Sequence, residues 1–341
     1  MSVSTILITA INALFPLILT ILLGYFLKCR GFLSKEFLKV GNKLVFNVCL
    51  PAMLFVNVYD IAGFSAINWD IVLYAVAAFF VVVAIGFMIT LLSTPVPERR
   101  GVIWQCTFRS NFGIIGLSLA GALGGDESVA VAAIVSSFTV PLFNVMSVIA
   151  LSVFTEGSKG KINAKSILLK IAKNPLIIGV VLGLFTLSLR ELQTAVFGNV
   201  VFSIKRDTLF VYKVLSNLKT MCTPLALLVL GGQFEFSAVK GLMKEIVSGT
   251  VARIVIAPLI GIGCAIAVST HTDWLVCGVN EYPALIAMFG SPVAVSSAVM
   301  AGNMGSDEQL ATQLVVWTSI FSIFTIFAQV CILMGMGLLA V

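Results

Sequence analysis

The chain alternates long apolar runs with short polar connections, and ten of the runs have the length of a membrane crossing. A hydrocarbon core about 30 Å thick is spanned by about 20 apolar helical residues. The predicted spans are 5–27, 37–58, 69–93, 99–122, 128–153, 166–188, 211–232, 245–268, 275–301 and 309–339. Inside lipid every backbone N–H and C=O needs an internal partner, so these runs are predicted as helices. A closed barrel would show short alternating strands, and the pattern contains none. The last run exceeds what one crossing needs, which allows tilt or a start outside the membrane. Residues 189–210 have an apolar middle, Ala195 to Ile204, that is too short to span; an interfacial segment is expected there. The predicted class is an all-α polytopic membrane protein embedded in a lipid bilayer.

Composition agrees. Hydrophobic residues make up 59% and charged residues 11%, with a mean hydropathy of +1.10, whereas soluble domains run nearer half and a quarter. The formal charge of +6 does not signal nucleic acid, because no basic stripe with interleaved aromatics appears. Basic residues instead fill alternate connections: Lys28, Arg30, Lys35, Lys39, then Arg99 and Arg100, Lys159, Lys161 and Lys165, Lys240 and Lys244. Asp60, Asp70, Asp126, Glu127 and Asp273 lie in the opposite set. The positive-inside rule then predicts a cytoplasmic-membrane protein with both termini outside. Arg190, Lys205 and Arg206 are the dissenting cations. The seven cysteines, among them Cys49, Cys106, Cys222 and Cys264, lie mostly in apolar stretches and form no CxxC pair. They read as small core hydrophobes, and no metal or cofactor is expected. A basic segment is missing before the first run, which therefore reads as a retained helix rather than a cleaved signal.

The two halves repeat one another. Pro16 to Gly24 reads PLILTILLG and Pro175 to Gly183 reads PLIIGVVLG. Cys49-Leu50-Pro51 is matched by Cys222-Thr223-Pro224. GALGGDESVA, from Gly121, is matched by GNMGSDEQLA, from Gly302. Each match marks the same span of its half, so residues 1–158 and 159–341 read as two five-helix repeats. An odd number of spans per unit makes the second enter from the opposite side. Inverted repeats let one plan build two exchangeable packings, as alternating access requires.

In such transporters the site lies near the midplane, at interrupted helices. Span four carries Arg109-Ser110-Asn111-Phe112-Gly113, and the repeat sets these against Gly290-Ser291-Pro292-Val293-Ala294 in span nine. Pro292 removes a backbone hydrogen bond, and Gly113 and Gly116 weaken their helix. If both helices open there, freed amides and half-helix N-termini suit a carboxylate. Arg109 would sit about 12–15 Å inside at 1.5 Å per residue; it either neutralises substrate charge or snorkels to the cytoplasmic interface. Hydropathy makes Glu281 a candidate for carrying a coupling proton, while the repeat sets it against Arg100 at the membrane edge. Arg253 is expected to snorkel, Pro51 and Pro224 to kink their helices, and Asn47, Asn57 and Asn144 to hydrogen-bond between helices.

At these residues the chain resembles the auxin efflux carrier family of membrane transporters, which includes plant auxin exporters and bacterial malate and malonate permeases. Lys173-Asn174-Pro175-Leu176-Ile177-Ile178-Gly179 is similar to the family's Asn-Pro motif. Asn111-Phe112-Gly113-Ile114-Ile115-Gly116 looks like its fourth-helix segment, and Ser291-Pro292-Val293-Ala294 like its ninth-helix Pro segment. Ser118 departs from the Pro of many relatives, and without a large hydrophilic central loop the bacterial permeases are the nearer likeness. The resemblance implies a ten-helix fold like that of the bile-acid symporters and sodium–proton antiporters, with spans four and nine crossing at broken centres. It also implies a scaffold of spans one, two, six and seven, often dimeric, with the others moving. The function expected is secondary active transport of a small organic anion, coupled to a proton or to sodium. A uniporter or channel, or an ion exchanger, is the alternative on the same fold. An enzyme would need a HExxH site, a Ser/His pair or paired aspartates in the membrane, and none is visible. Dicarboxylates, monocarboxylates and indole-type acids all fit an apolar site with one arginine.

Overall fold

The computed structural model describes residues 3–61, 68–157, 169, 172–272 and 274–339. The regular structure among these residues is helical, apart from one isolated antiparallel pair, Ser110 with Val293. The long helices are α1 (Val3–Cys29), α2 (Lys35–Tyr59), α3 (Trp69–Ser93), α4 (Pro97–Phe108) and α5 (Leu117–Gly157). They are followed by α6 (Pro175–Phe197), the short α7 (Ile204–Asp207), α8 (Leu209–Gln233) and α9 (Ala238–His271). The chain ends with α10 (Glu281–Leu285), α11 (Ser296–Asn303) and α12 (Glu308–Gly335). Among the described residues, seven helices are long and apolar enough to cross a membrane. The first predicted run, 5–27, lies in helix α1, and the connection at 158–168 and the acidic Asp273 lie outside the described residues.

Local chemistry sets the helix starts. Asn68, Asn174 and Asp307 each accept a backbone N–H in the first turn of α3, α6 and α12, at 3.2, 2.9 and 2.9 Å; such caps satisfy amides that no earlier turn can reach. In α6 the cap is followed by Pro175 at the first helical position, and Gly198, at φ 74°, closes the helix in the left-handed region. These signals override hydropathy. Helix α6 therefore runs to Phe197 rather than ending near 188, and the segment expected at the interface is divided between the end of α6, a turn and α7. The dissenting Lys205 lies 3.7 Å from Asp60, whose carboxylate also accepts from Tyr212.

The matched connections after spans four and nine are turns. Gly125 (φ 70°, ψ −162°) bends α5 near its start, and Gly305 (φ 73°) stands between α11 and α12. Both need the left-handed freedom of glycine. The repeat pairs Gly305 with Gly124, so the two halves make this turn one residue apart.

Helices α1, α2, α6 and α8 pack on one another, and α3, α4, α5, α9, α10 and α12 pack around the interrupted segments. Helix α1 also lies along α12. Each group thus draws on both halves of the sequence. The first group is held by close backbone approach. A Cβ on Gly231 of α8 would stand 2.0 Å from the Ile21 carbonyl of α1, and one on Gly179 of α6 would stand 2.5 Å from the Pro51 carbonyl of α2. Small residues are what allow such contact between helices in lipid. At one end of the molecule Arg99 joins Glu245 (2.9 Å) and Asp307 (3.2 Å), tying α4, α9 and the start of α12 together. Gly231→Val is expected to destabilise the protein by about 1–3 kcal/mol, read as a lower melting temperature of detergent-purified protein; unchanged melting would mean α1 and α8 separate more easily than this packing implies.

Candidate functional site

Two helices stop in mid-course and their loose ends meet. After α4 the residues Arg109 and Ser110 are extended, and a π-helical turn, Phe112–Gly116, leads into α5. Helix α10 continues through a second π-helical turn, Ile286–Gly290, and then opens at Ser291 (ψ 149°) before α11. The open stretches pair in antiparallel fashion. The Asn111 amide donates to the Pro292 carbonyl at 2.8 Å, and the Ala294 amide donates to the Arg109 carbonyl at 3.1 Å. Each break thereby supplies partners that the other lost, as a nonpolar surrounding requires. Such π turns recur at functional sites.

Pro292 causes part of the opening. It has no N–H for the Met288 carbonyl one turn back. The Asn111 amide would serve the Thr107 carbonyl in an unbroken helix, but is committed to Pro292. The Val293 amide goes to the Thr318 hydroxyl of α12, 3.1 Å away, rather than to Phe289. Three carbonyls are thus stranded, and Arg253 collects them. Its guanidinium donates to the carbonyls of Thr107, Met288 and Ser291 at 3.0 Å each and to that of Phe289 at 2.5 Å.

The expectation that Arg253 snorkels is therefore wrong. The residue is only 1% exposed, because four main-chain carbonyls inside the bundle, three of them stranded, bind the guanidinium better than a distant interface would. It projects from a third π-helical turn, Ala252–Ile256, within α9.

On the other side of the pairing lies a small cavity with a free volume of about 50 Å³. Arg109, Ser110, Asn111, Gly113 and Ala294 line it. Arg109 is 4% exposed and does not snorkel either. Its guanidinium donates to Asn144 Oδ1 at 2.7 Å, to Ser296 Oγ at 3.0 Å and to Met300 Sδ. All three partners are neutral, and no ion pair involves it among the described residues. The Ser110 hydroxyl is buried without a hydrogen-bond partner. Neither Asn111 nor Val295, which precede the second halves of the interrupted helices, caps its helix with a side chain.

A family model described as "Membrane transport protein" matches residues 9–328. The chain belongs to that family of membrane transporters. It is the auxin efflux carrier family that the motifs resemble. An uncharacterized transporter of Methanothermobacter thermautotrophicus is 23% identical over 314 residues, covering 90% of this chain and 92% of that protein. An uncharacterized transporter of Methanocaldococcus jannaschii is 24% identical over 246 residues, covering 71% and 74%.

Within this transporter the remaining candidates divide by position. Phe112, Gly290, Ser291, Pro292 and Val293 shape the breaks without lining the cavity; all five are buried because neighbouring helices pack over them. Glu281 stands at the start of α10, where its carboxylate accepts the Gly278 amide at 2.8 Å, away from the break. Asn47 bonds within its own helix, to the Lys43 carbonyl at 2.8 Å, rather than across helices. Asn144 does bond across helices, to Arg109, and both it and Asn57 line the cavity. Thr223 and Ser296 line it too and carried no separate signal, although Thr223 sits inside the repeated Cys-x-Pro motif. Asn144→Leu removes one acceptor of a buried guanidinium and is expected to cost about 1–3 kcal/mol. Thermal unfolding of the purified variant measures this, and parent-like melting would mean that Arg109 finds another acceptor.

Proposed function

We propose that this transporter is a secondary carrier of a small organic carboxylate, with the Arg109 cavity as its substrate site. The observation that carries the reading is a buried guanidinium, facing a cavity, whose partners are all neutral. A cation in that position lacks a counterion, and a carboxylate is the planar anion that a guanidinium binds in bidentate fashion. The uncapped starts of the two half-helices add amides and positive dipole ends at the same place. Leu50, Met53, Leu54 and Phe143 make the rest of the wall largely apolar, as for small-molecule sites in general.

The mechanism follows from which helices meet at the cavity. Ten crossings in two inverted five-helix units, with α1, α2, α6 and α8 as scaffold and the others as transport domain, fit the packing and the repeats. The cavity is walled by α2 and α8 on one side and by α5 and the two breaks on the other. Its free volume of about 50 Å³ holds a few waters, so an organic anion enters only when the two groups part. At one end the scaffold meets α12 through side-chain bonds: Asn42 and Gln233 donate to Glu308 Oε1 at 2.6 and 2.9 Å, and Gln313 donates to the Glu235 carbonyl at 2.8 Å. Polar contacts of this kind exchange readily with water when a cleft opens. The charge pattern orients this end toward the cytoplasm of a cell membrane. An exchanger for cations would place carboxylates at the crossover, and the cavity lining has none.

Uptake of labelled malate, malonate and indole acetate into proteoliposomes, with and without a pH gradient, tests the assignment. Accumulation of one of these acids is expected. Arg109→Gln should then raise the KM for that acid by about 10–100-fold, the value of a hydrogen bond to a charged group. Asn144→Asp supplies an internal counterion, so it should abolish uptake while melting no lower than the parent. Normal uptake by Asn144→Asp would move the anion site away from Arg109.

A further inference from the structure

Among the described residues Arg253 is the largest fully buried side chain, and the proposed anion site does not use it. Four of its five N–H groups are committed to main-chain carbonyls of the interrupted helices. Among the described residues no carboxylate pairs with it. What balances its charge is therefore the dipoles of carbonyls. Thr107 lies in the last turn of α4, and Met288 and Phe289 lie in the turn that ends the first half of the other broken helix. Both are the negative ends of helix segments. The crossing is polarised, with two carbonyl ends turned to Arg253 and two amide ends at the Arg109 cavity.

Main-chain carbonyls converging inside a membrane form a cation site, since they can replace the hydration shell of an alkali ion. We propose that Arg253 is the resident cation of this crossing: its guanidinium fills the carbonyl cage that a free metal ion would otherwise occupy, so the site keeps its shape without sodium. Arg253 is thus a positioning residue that acts through the two breaks and never touches the substrate. The inference deepens the transport reading and, where it concerns turnover, rests on it. The cage itself is a property of the fold. Lysine cannot replace it, because a single ammonium has three donors on a flexible stem and no planar fork.

The test separates the two readings by using melting, which needs no substrate. The purified parent should melt at the same temperature in sodium, potassium and choline chloride. Arg253→Ala should melt about 5 °C or more lower and recover most of that loss in millimolar methylguanidinium, with no recovery in tetramethylammonium. If Arg253→Ala does not yield folded protein, Arg253→Lys decides. It should fold, melt below the parent, and in proteoliposomes lose about tenfold or more in kcat with KM little changed, because the Arg109 cavity is intact. A sodium-dependent rise in the parent's melting temperature would overturn the proposal. So would parent-like melting of Arg253→Ala or Arg253→Lys, or a loss that tetramethylammonium repairs as well as methylguanidinium does. If no acid is transported by any form, yet methylguanidinium restores Arg253→Ala, the cage stands and only the substrate reading fails.

Discussion

A helix that stops inside a membrane leaves carbonyls and amides that lipid cannot hydrogen-bond, and this structure is arranged around that constraint. Two helices stop, and each break partly repairs the other through the Asn111–Pro292 and Ala294–Arg109 bonds. What pairing leaves over goes to side chains from two further helices. Arg253 of α9 takes four carbonyls and Thr318 of α12 takes the Val293 amide. Neither α9 nor α12 can shift alone without exposing groups whose desolvation is costly. The breaks, α9 and α12 therefore behave as one body.

Two arginines sit within this body and their chemistry differs by what surrounds them. Arg253 faces the carbonyl ends of helix segments and commits four of its five N–H groups to carbonyls. Arg109, at the end of α4, faces Asn144, Ser296 and a cavity, with neutral partners only. The same residue type is thus structural in one place and available in the other. Burial of a guanidinium is costly when its donors go unused, which explains why both are ringed by acceptors. Of the two, only Arg109 borders a cavity.

The helix group of α1, α2, α6 and α8 is built on a different principle. Its contacts are backbone against backbone at Gly179 and Gly231, with no room for a Cβ. Such packing is stiff and specific, whereas its contact with α12, besides the packing of α1 along that helix, runs through Asn42, Gln233 and Glu308 side chains. In the proposed movement of two bodies against each other, the rigid pair of interfaces would stay closed and the polar contacts would exchange.

Hydropathy by itself determined the class and the approximate places of the helices, and the repeat with its Gly and Pro residues marked the two clusters that become the breaks. Length and apolarity are local properties, and lipid leaves little choice but helix. The repeat also set Asn111 opposite Pro292, and these two residues are hydrogen-bonded in the structure. Helix ends were less legible: α6 begins at a cap and ends at Gly198, and capping chemistry outweighs the hydropathy of the residues beside it. The roles of the polar residues were decided only by tertiary structure. Arg253 near the end of its predicted span looked like a snorkelling side chain, because no local pattern records that four carbonyls from two other helices would converge on it. The same holds for Asn57, Asn144 and Thr223, which come to one cavity from helices far apart in sequence. Whether a buried polar group is a brace or a binding group depends on which neighbours are already committed, and that depends on the packing of helices rather than on the sequence around the residue.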